Sequence, residues 1–127
     1  AGEDVAAAIG QSPDRVFKTL VTVGMSGKNY VFVVPVCKEL DLKKAAKTVG
    51  EKWVEMIKSK ELLPLTGYVH GGCSPVGMKK LFRTVIDISA ESKETVCFSG
   101  GKIGYQMEAP LSELEKVIPI ELADITE

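Results

Sequence analysis

Three places in this chain carry residues whose types and spacing can do chemistry. The first is Gly71-Gly72-Cys73-Ser74-Pro75-Val76-Gly77-Met78-Lys79-Lys80. Glycines let a backbone approach a ligand closely, and such a loop can aim several N–H groups at one oxygen or cradle a phosphate. It is not a Walker A loop: Gly72 and Gly77 have the right separation, but Met78 stands where that motif needs lysine. The plainer alternative is a tight strand connection, which Ser74-Pro75 favours. The second place is Lys18, a cation inside the apolar run Val16 to Val23. It either points to solvent or projects into a cavity where its charge has a purpose, because burial without a partner is costly. The third is Ser99-Gly100-Gly101-Lys102, a glycine turn that equally fits a simple hairpin. Cys73 has the chemistry of an ester-attacking nucleophile, but no general base accompanies it in sequence. His70 is three residues away in an irregular segment, which fixes no geometry. Trp53 and Tyr68 can stack a nucleobase or simply pack.

These residues need a scaffold, and the pattern predicts an α+β one. Asp4 to Ile9 reads as a helix end stopped by Gly10. Val16 to Val23 alternates as a strand, with Phe17, Thr19, Val21 and Val23 on one face and Lys18 on the other. A turn over Gly24 to Asn29 makes a hairpin with Tyr30 to Val36. That second strand is apolar on both faces and must be covered, while Pro35 points to an edge or a bulge. Asp41 is the expected N-cap of a helix through Val49, ended by Gly50. Lys52 to Leu63 also reads as helix. Strands are expected at Tyr68–Val69, Thr84–Ile88, Thr95–Phe98 and Tyr105–Glu108. Ser112 with Glu115 looks like a capping box, and Ile120 to Ile125 can close the sheet. Many short strands with interspersed helices predict a mixed sheet, curled and barrel-like around its core.

Bulk properties bound the function classes. A chain of 127 residues is one domain. The formal net charge of −1 names no partner. Its distribution is uneven: six lysines against two glutamates between Lys43 and Lys60, then six acids against one lysine from Glu108 onward. A basic middle with an acidic tail is compatible with a polyanion docking on one side, or with solvated helix faces. Three widely spaced cysteines and a single histidine indicate neither a disulfide framework nor a compact zinc motif. No apolar run reaches transmembrane length and no signal peptide is visible, so a cytoplasmic protein with reduced thiols is expected.

Taken together, the segments resemble a known family. Arg15-Val16-Phe17-Lys18-Thr19-Leu20 is similar to the conserved strand of the YbaK-type aminoacyl-tRNA deacylases, free-standing relatives of the editing domain in bacterial prolyl-tRNA synthetase. Leu42-Lys43-Lys44-Ala45-Ala46, Val54-Glu55-Met56 and Thr66-Gly67-Tyr68 resemble further family elements. The Gly71–Lys80 loop resembles the central signature in the form of the Cys-tRNA(Pro) deacylase branch, and Ser99-Gly100-Gly101-Lys102 follows in the expected place. The resemblance implies one editing domain over residues 1–127; family members usually carry a further N-terminal segment with a pocket-lining strand, so either that segment is cut away here or one wall of the pocket is missing. It implies hydrolytic removal of a mischarged amino acid, most simply cysteine, from tRNA. Lys18 would contact the ester or terminal nucleotide, and Gly71 would be the functional glycine. Phe17, Gly72, Ser74, Pro75, Gly77, Ser99, Gly100 and Gly101 would shape the substrate site, with backbone donors from the signature loop. Cys73 falls on a variable position. The substrate's own thiol would attack its ester, so no cofactor and no metal are implied. Implied partners are the aminoacyl-tRNA acceptor end and prolyl-tRNA synthetase, with neither membrane nor DNA. The alternatives are a non-catalytic tRNA- or synthetase-binding module and an alanine-tRNA deacylase.

Overall fold

The alternation in the first apolar run produces the expected hairpin. In a computed structural model, which describes Ala6, Gly10 and residues 12–127, β1 (Phe17–Gly24) pairs antiparallel with β2 (Asn29–Pro35). The turn closes through Gly24 N–H to the Lys28 carbonyl at 2.9 Å. Ser26 and the Tyr30 hydroxyl both donate to the Glu51 carboxylate, which ties this turn to the next connection. Of the expected N-terminal helix, Ala6 is helical and buried and Gly10 has φ +72°; the rest falls outside the described residues.

Helix α1 (Leu42–Val49) forms as its caps predict. The Asp41 carboxylate accepts from Lys43 and Lys44 N–H at 3.0 Å each, and Gly50 ends the helix. Two expectations fail next. Lys52 to Leu63 is not one helix: it holds a short strand β3 (Val54–Met56) and then α2 (Ser59–Thr66). β3 pairs with Thr22 to Gly24 of β1, a non-local partner that outweighs helical propensity. Tyr68–Val69 is loop, not strand. The later strands are β4 (Arg83–Asp87), β5 (Val96–Ser99), β6 (Gln106–Ala109) and β7 (Glu121–Ala123). Helix α3 (Leu111–Glu115) begins after Pro110 with no side-chain cap, so the Ser112–Glu115 capping box does not form.

The strand order β3-β1-β2-β4-β7 makes one open mixed sheet, and β5 and β6 form a separate antiparallel ribbon. The sheet curls without closing into a barrel. β2 is central, not an edge; its pairing with β4 uses Tyr30 to Val33 only, so Pro35, at the strand's end, owes β4 no N–H. Both faces of β2 are buried, as its sequence requires. Val31 and Val33 join Phe17, Val21, Leu62, Val96, Phe98 and Leu114 on one side. Tyr30, Phe32 and Val34 join Ala45, Ala46, Val49 and Ile125 under α1 on the other. Buried Asp87 fastens the far seam by accepting from Ser89 N–H at 3.2 Å and Ile125 N–H at 3.1 Å.

Candidate functional site

The candidate site lies where two glycine loops meet beside the start of β1. Val16 forms a parallel bridge with Cys97, which sets the ribbon alongside β1. One pleat further along each strand, Lys18 and Ser99 fall on the same face as that bridged pair. Ser99 is paired in turn with Gln106 across the ribbon. Lys18 lies opposite Val34 in the hairpin and is partly buried. Its ammonium is 3.5 Å from the exposed carboxylate of Glu39, so its charge is held at the surface end of that face. Gln106 was legible only as a strand residue, yet its side-chain carbonyl oxygen is buried with no partner among the described residues. Buried acceptors are ordinarily satisfied, so an unpaired one beside Ser99 marks a place for a donor from outside. The Thr19 hydroxyl is likewise unpaired, on the Phe17 face.

The two loops interlock through their glycines. A methyl group on Gly72 would lie 3.1 Å from Ile103 N and 3.3 Å from the Lys102 carbonyl carbon, so the main chains touch there only because Gly72 has no side chain. Gly71 is next to the same junction, with φ +85°, a backbone state that other residues enter at a cost. Tyr68 is clasped between the loops: its hydroxyl donates to the Val76 carbonyl and lies against Gly77, and its ring sits against Gly101. The expected loop strand at Tyr68 is thus replaced by an aromatic peg.

Some of the loop donors are already engaged within the fold. Gly72 N–H is spent on the Val69 carbonyl at 3.0 Å, Gly100 N–H on the Tyr105 carbonyl at 2.8 Å, and Gly101 N–H on the Ser99 hydroxyl at 3.2 Å. The N–H groups of Gly71, Cys73, Ser74 and Gly77 have no acceptor among the described residues. Ser74 is buried and its hydroxyl accepts from Val76 N–H, a turn contact; Pro75 is buried beneath it. Phe17 is in the core, on the face opposite Lys18. Two cavities, about 70 and 220 Å³, flank Phe82 and Thr84; neither is lined by Lys18, Gly71 or Ser99.

Burial pushes the Cys73 thiol up to about 11, so it is protonated near neutral pH and its sulfur packs in the core. His70 is exposed. Among the described residues no group of three or more His, Cys, Asp or Glu side chains is placed to hold a metal ion. What remains chemically is a cation, the unengaged N–H groups of the signature loop and a tightly shaped backbone junction.

Comparison with known proteins decides the family. The profile of the aminoacyl-tRNA editing domain matches residues 1–117. This chain belongs to the aminoacyl-tRNA editing domain family. The editing domain is 44% identical over 124 residues, 98% of its length and 76% of the relative's, to EbsC of Enterococcus faecalis, a candidate Cys-tRNA(Pro)/Cys-tRNA(Cys) deacylase by name. It is 29% identical over 114 residues to the uncharacterized YwhH of Bacillus subtilis, covering 90% of this chain and 72% of that one. Its fold matches a solved candidate trans-editing enzyme for prolyl-tRNA synthetase with a TM-score of 0.90 at 30% identity, covering all of this chain and 80% of that one.

Proposed function

We propose that this editing domain cleaves the ester between cysteine and the 3′ end of tRNA(Pro), with the substrate's own thiol as nucleophile. The observation that carries the reading is the interlocked glycine junction with no activated protein nucleophile in it: Cys73 is buried and protonated, and its neighbour Gly71 faces the second loop. In this scheme the cysteinyl sulfur bonds to the carbonyl carbon and the bond to the ribose oxygen breaks. The thiol proton passes to that oxygen, and water then opens the thiolactone. Lys18 balances negative charge on the ester or the terminal phosphate. Gly71 and Cys73 offer N–H groups to the carbonyl oxygen. Gly72, Gly77, Ser99, Gly100 and Gly101 shape the floor, and Phe17, Ser74 and Pro75 support it from below. Holding thiol and carbonyl in contact can lower the barrier by about 7–11 kcal/mol, which makes orientation a sufficient contribution from the protein. The relation to a trans-editing protein supports tRNA selection shared with prolyl-tRNA synthetase, and the chain would act in the cytoplasm.

A panel of aminoacyl-tRNAs tests this. The expected order of release is Cys, then Ser, then Ala, because the hydroxyl is a far weaker nucleophile than the thiol and alanine has none. The cysteine product should pass through a trappable thiolactone. Equal rates for Cys- and Ala-tRNA would require an activated water and would place the chain in the alanine-editing branch. No release from any of them would leave a binding module.

A further inference from the structure

The second glycine loop carries more than the junction uses. Ile103, Tyr105 and Met107 are 68%, 64% and 48% exposed, a run of large apolar side chains on alternate residues. Tyr105 is nonetheless fixed at its backbone: its carbonyl accepts from Gly100 N–H at 2.8 Å and its N–H donates to the Lys102 carbonyl at 3.0 Å. The Lys102 ammonium lies 5.8 Å from the centre of the Tyr105 ring. At the other end of the run, the Ile103 side chain reaches to 3.7 Å from where a Gly71 side chain would begin. The surface is therefore continuous with the site. The two loop segments that meet here carry cations and no acids. No aspartate or glutamate occurs from Leu62 to Phe82 or from Val96 to Met107, whereas His70, Lys79, Lys80 and Lys102 in those segments are all exposed.

We propose that Ile103 and Tyr105, with Lys102 beside them, form the stacking surface for the unpaired bases at the 3′ end of the RNA substrate. The inference rests on the deacylase reading and adds where the strand lies. An exposed aromatic ring on a fixed turn stacks any base face without a large ordering cost. Lys102 beside the ring meets a phosphate between those bases, and the absence of acids in both loops favours a polyanion over an acidic or neutral protein face. A strand laid from Tyr105 over Ile103 delivers its last ribose to Gly71.

The test uses the intact chain and two uncharged RNA hairpins, one ending in a single-stranded CCA tail and one blunt. Wild-type protein should prefer the tailed hairpin. Tyr105→Leu should weaken tailed binding by between about 5-fold and 150-fold, the range for losing one stacked base, and leave blunt binding unchanged. Tyr105→Trp should restore the preference, which a merely structural role for the phenol would not do. Equal wild-type affinity for both hairpins, or Tyr105→Leu binding them as wild type does, overturns the proposal. So does a change in oligomeric state with intact tail preference, which would assign the surface to a second copy of the chain. Deacylation of Cys-tRNA measured in parallel separates the two readings. A Tyr105-dependent tail preference without turnover sinks only the deacylase reading. Turnover whose KM ignores Tyr105→Leu sinks only the stacking surface.

Discussion

Gly72→Ala should report whether the contact between the two loops is the working part of the site. The added methyl meets Ile103 N at 3.1 Å and the Lys102 carbonyl carbon at 3.3 Å. Both are main-chain atoms, so no rotamer change relieves the clash, and comfortable carbon contacts need about 3.5–4.0 Å. The loops must separate by a few tenths of an ångström. Overpacking of this kind costs about 1–3 kcal/mol, and removing a glycine from the unfolded chain returns about 0.4–1 kcal/mol. A net loss near 1 kcal/mol corresponds to a Tm lower by about 4 °C for a domain of this length. The effect on turnover is larger in proportion. Misplacing reacting groups by 1 Å can cost about 100-fold, so a shift of a few tenths should lower kcat/KM by roughly 4- to 10-fold. Gly50→Ala is the matched control. Its φ of +76° imposes a comparable strain, nothing lies within 4 Å of the new methyl, and it ends α1 away from both loops. Thermal melts followed by circular dichroism, with deacylation kinetics on Cys-tRNA, compare the pair. If Gly72→Ala and Gly50→Ala lose the same Tm and both keep full kcat/KM, the junction is a strand connection and the assignment of the site to it is wrong.

Other perturbations check other residues. Lys18→Ala should cut kcat/KM by about 100-fold while moving Tm little, since its pair with exposed Glu39 is a surface ion pair worth about 0–1 kcal/mol; Lys18→Arg should rescue poorly, because a planar fork does not replace a compact ammonium. Near-wild-type turnover in Lys18→Ala would remove Lys18 from the site. Cys73→Ala should retain turnover, and at pH 8 iodoacetamide should modify exposed Cys37 long before Cys73, whose thiolate fraction there is about 0.1%. Raising the pH toward 11 should close that gap in alkylation rate, since the thiol ionises only as pH approaches its elevated value. Asp87→Ala strands the N–H groups of Ser89 and Ile125 and should cost about 1–3 kcal/mol, read as a Tm drop of roughly 4–12 °C.

What the sequence disclosed follows from how local its signals are. The hairpin and α1 were readable because alternation, the Asp41 cap and Gly50 lie within the elements they define. Residues 52–63 were misread because β3 is held by a partner in β1, thirty positions back, and nothing in Val54-Glu55-Met56 itself announces it. The Ser112–Glu115 spacing suits a cap, but Pro110 occupies the cap position instead. The glycine loops were visible as candidates; their interlock, and the donors already spent on Val69, Tyr105 and Ser99, depend on atoms from the opposite loop. Gln106 left no sequence trace, since an amide on a strand looks ordinary until its oxygen is found without a partner.

The seam that Asp87 fastens joins residues 38 positions apart, and the pairing of β2 with β4 encloses α1, β3, α2 and the entire signature loop. Parallel pairings of this span close slowly, since the chain loses loop entropy before the contacts form. The signature loop is suspended inside that closure, and its contact with Lys102 and Ile103 awaits the ribbon as well. Substitutions in β4 should therefore slow folding, whereas loop changes such as Gly72→Ala should leave the folding rate alone and appear as faster unfolding. The glycine junction should then be among the last contacts made and the first released.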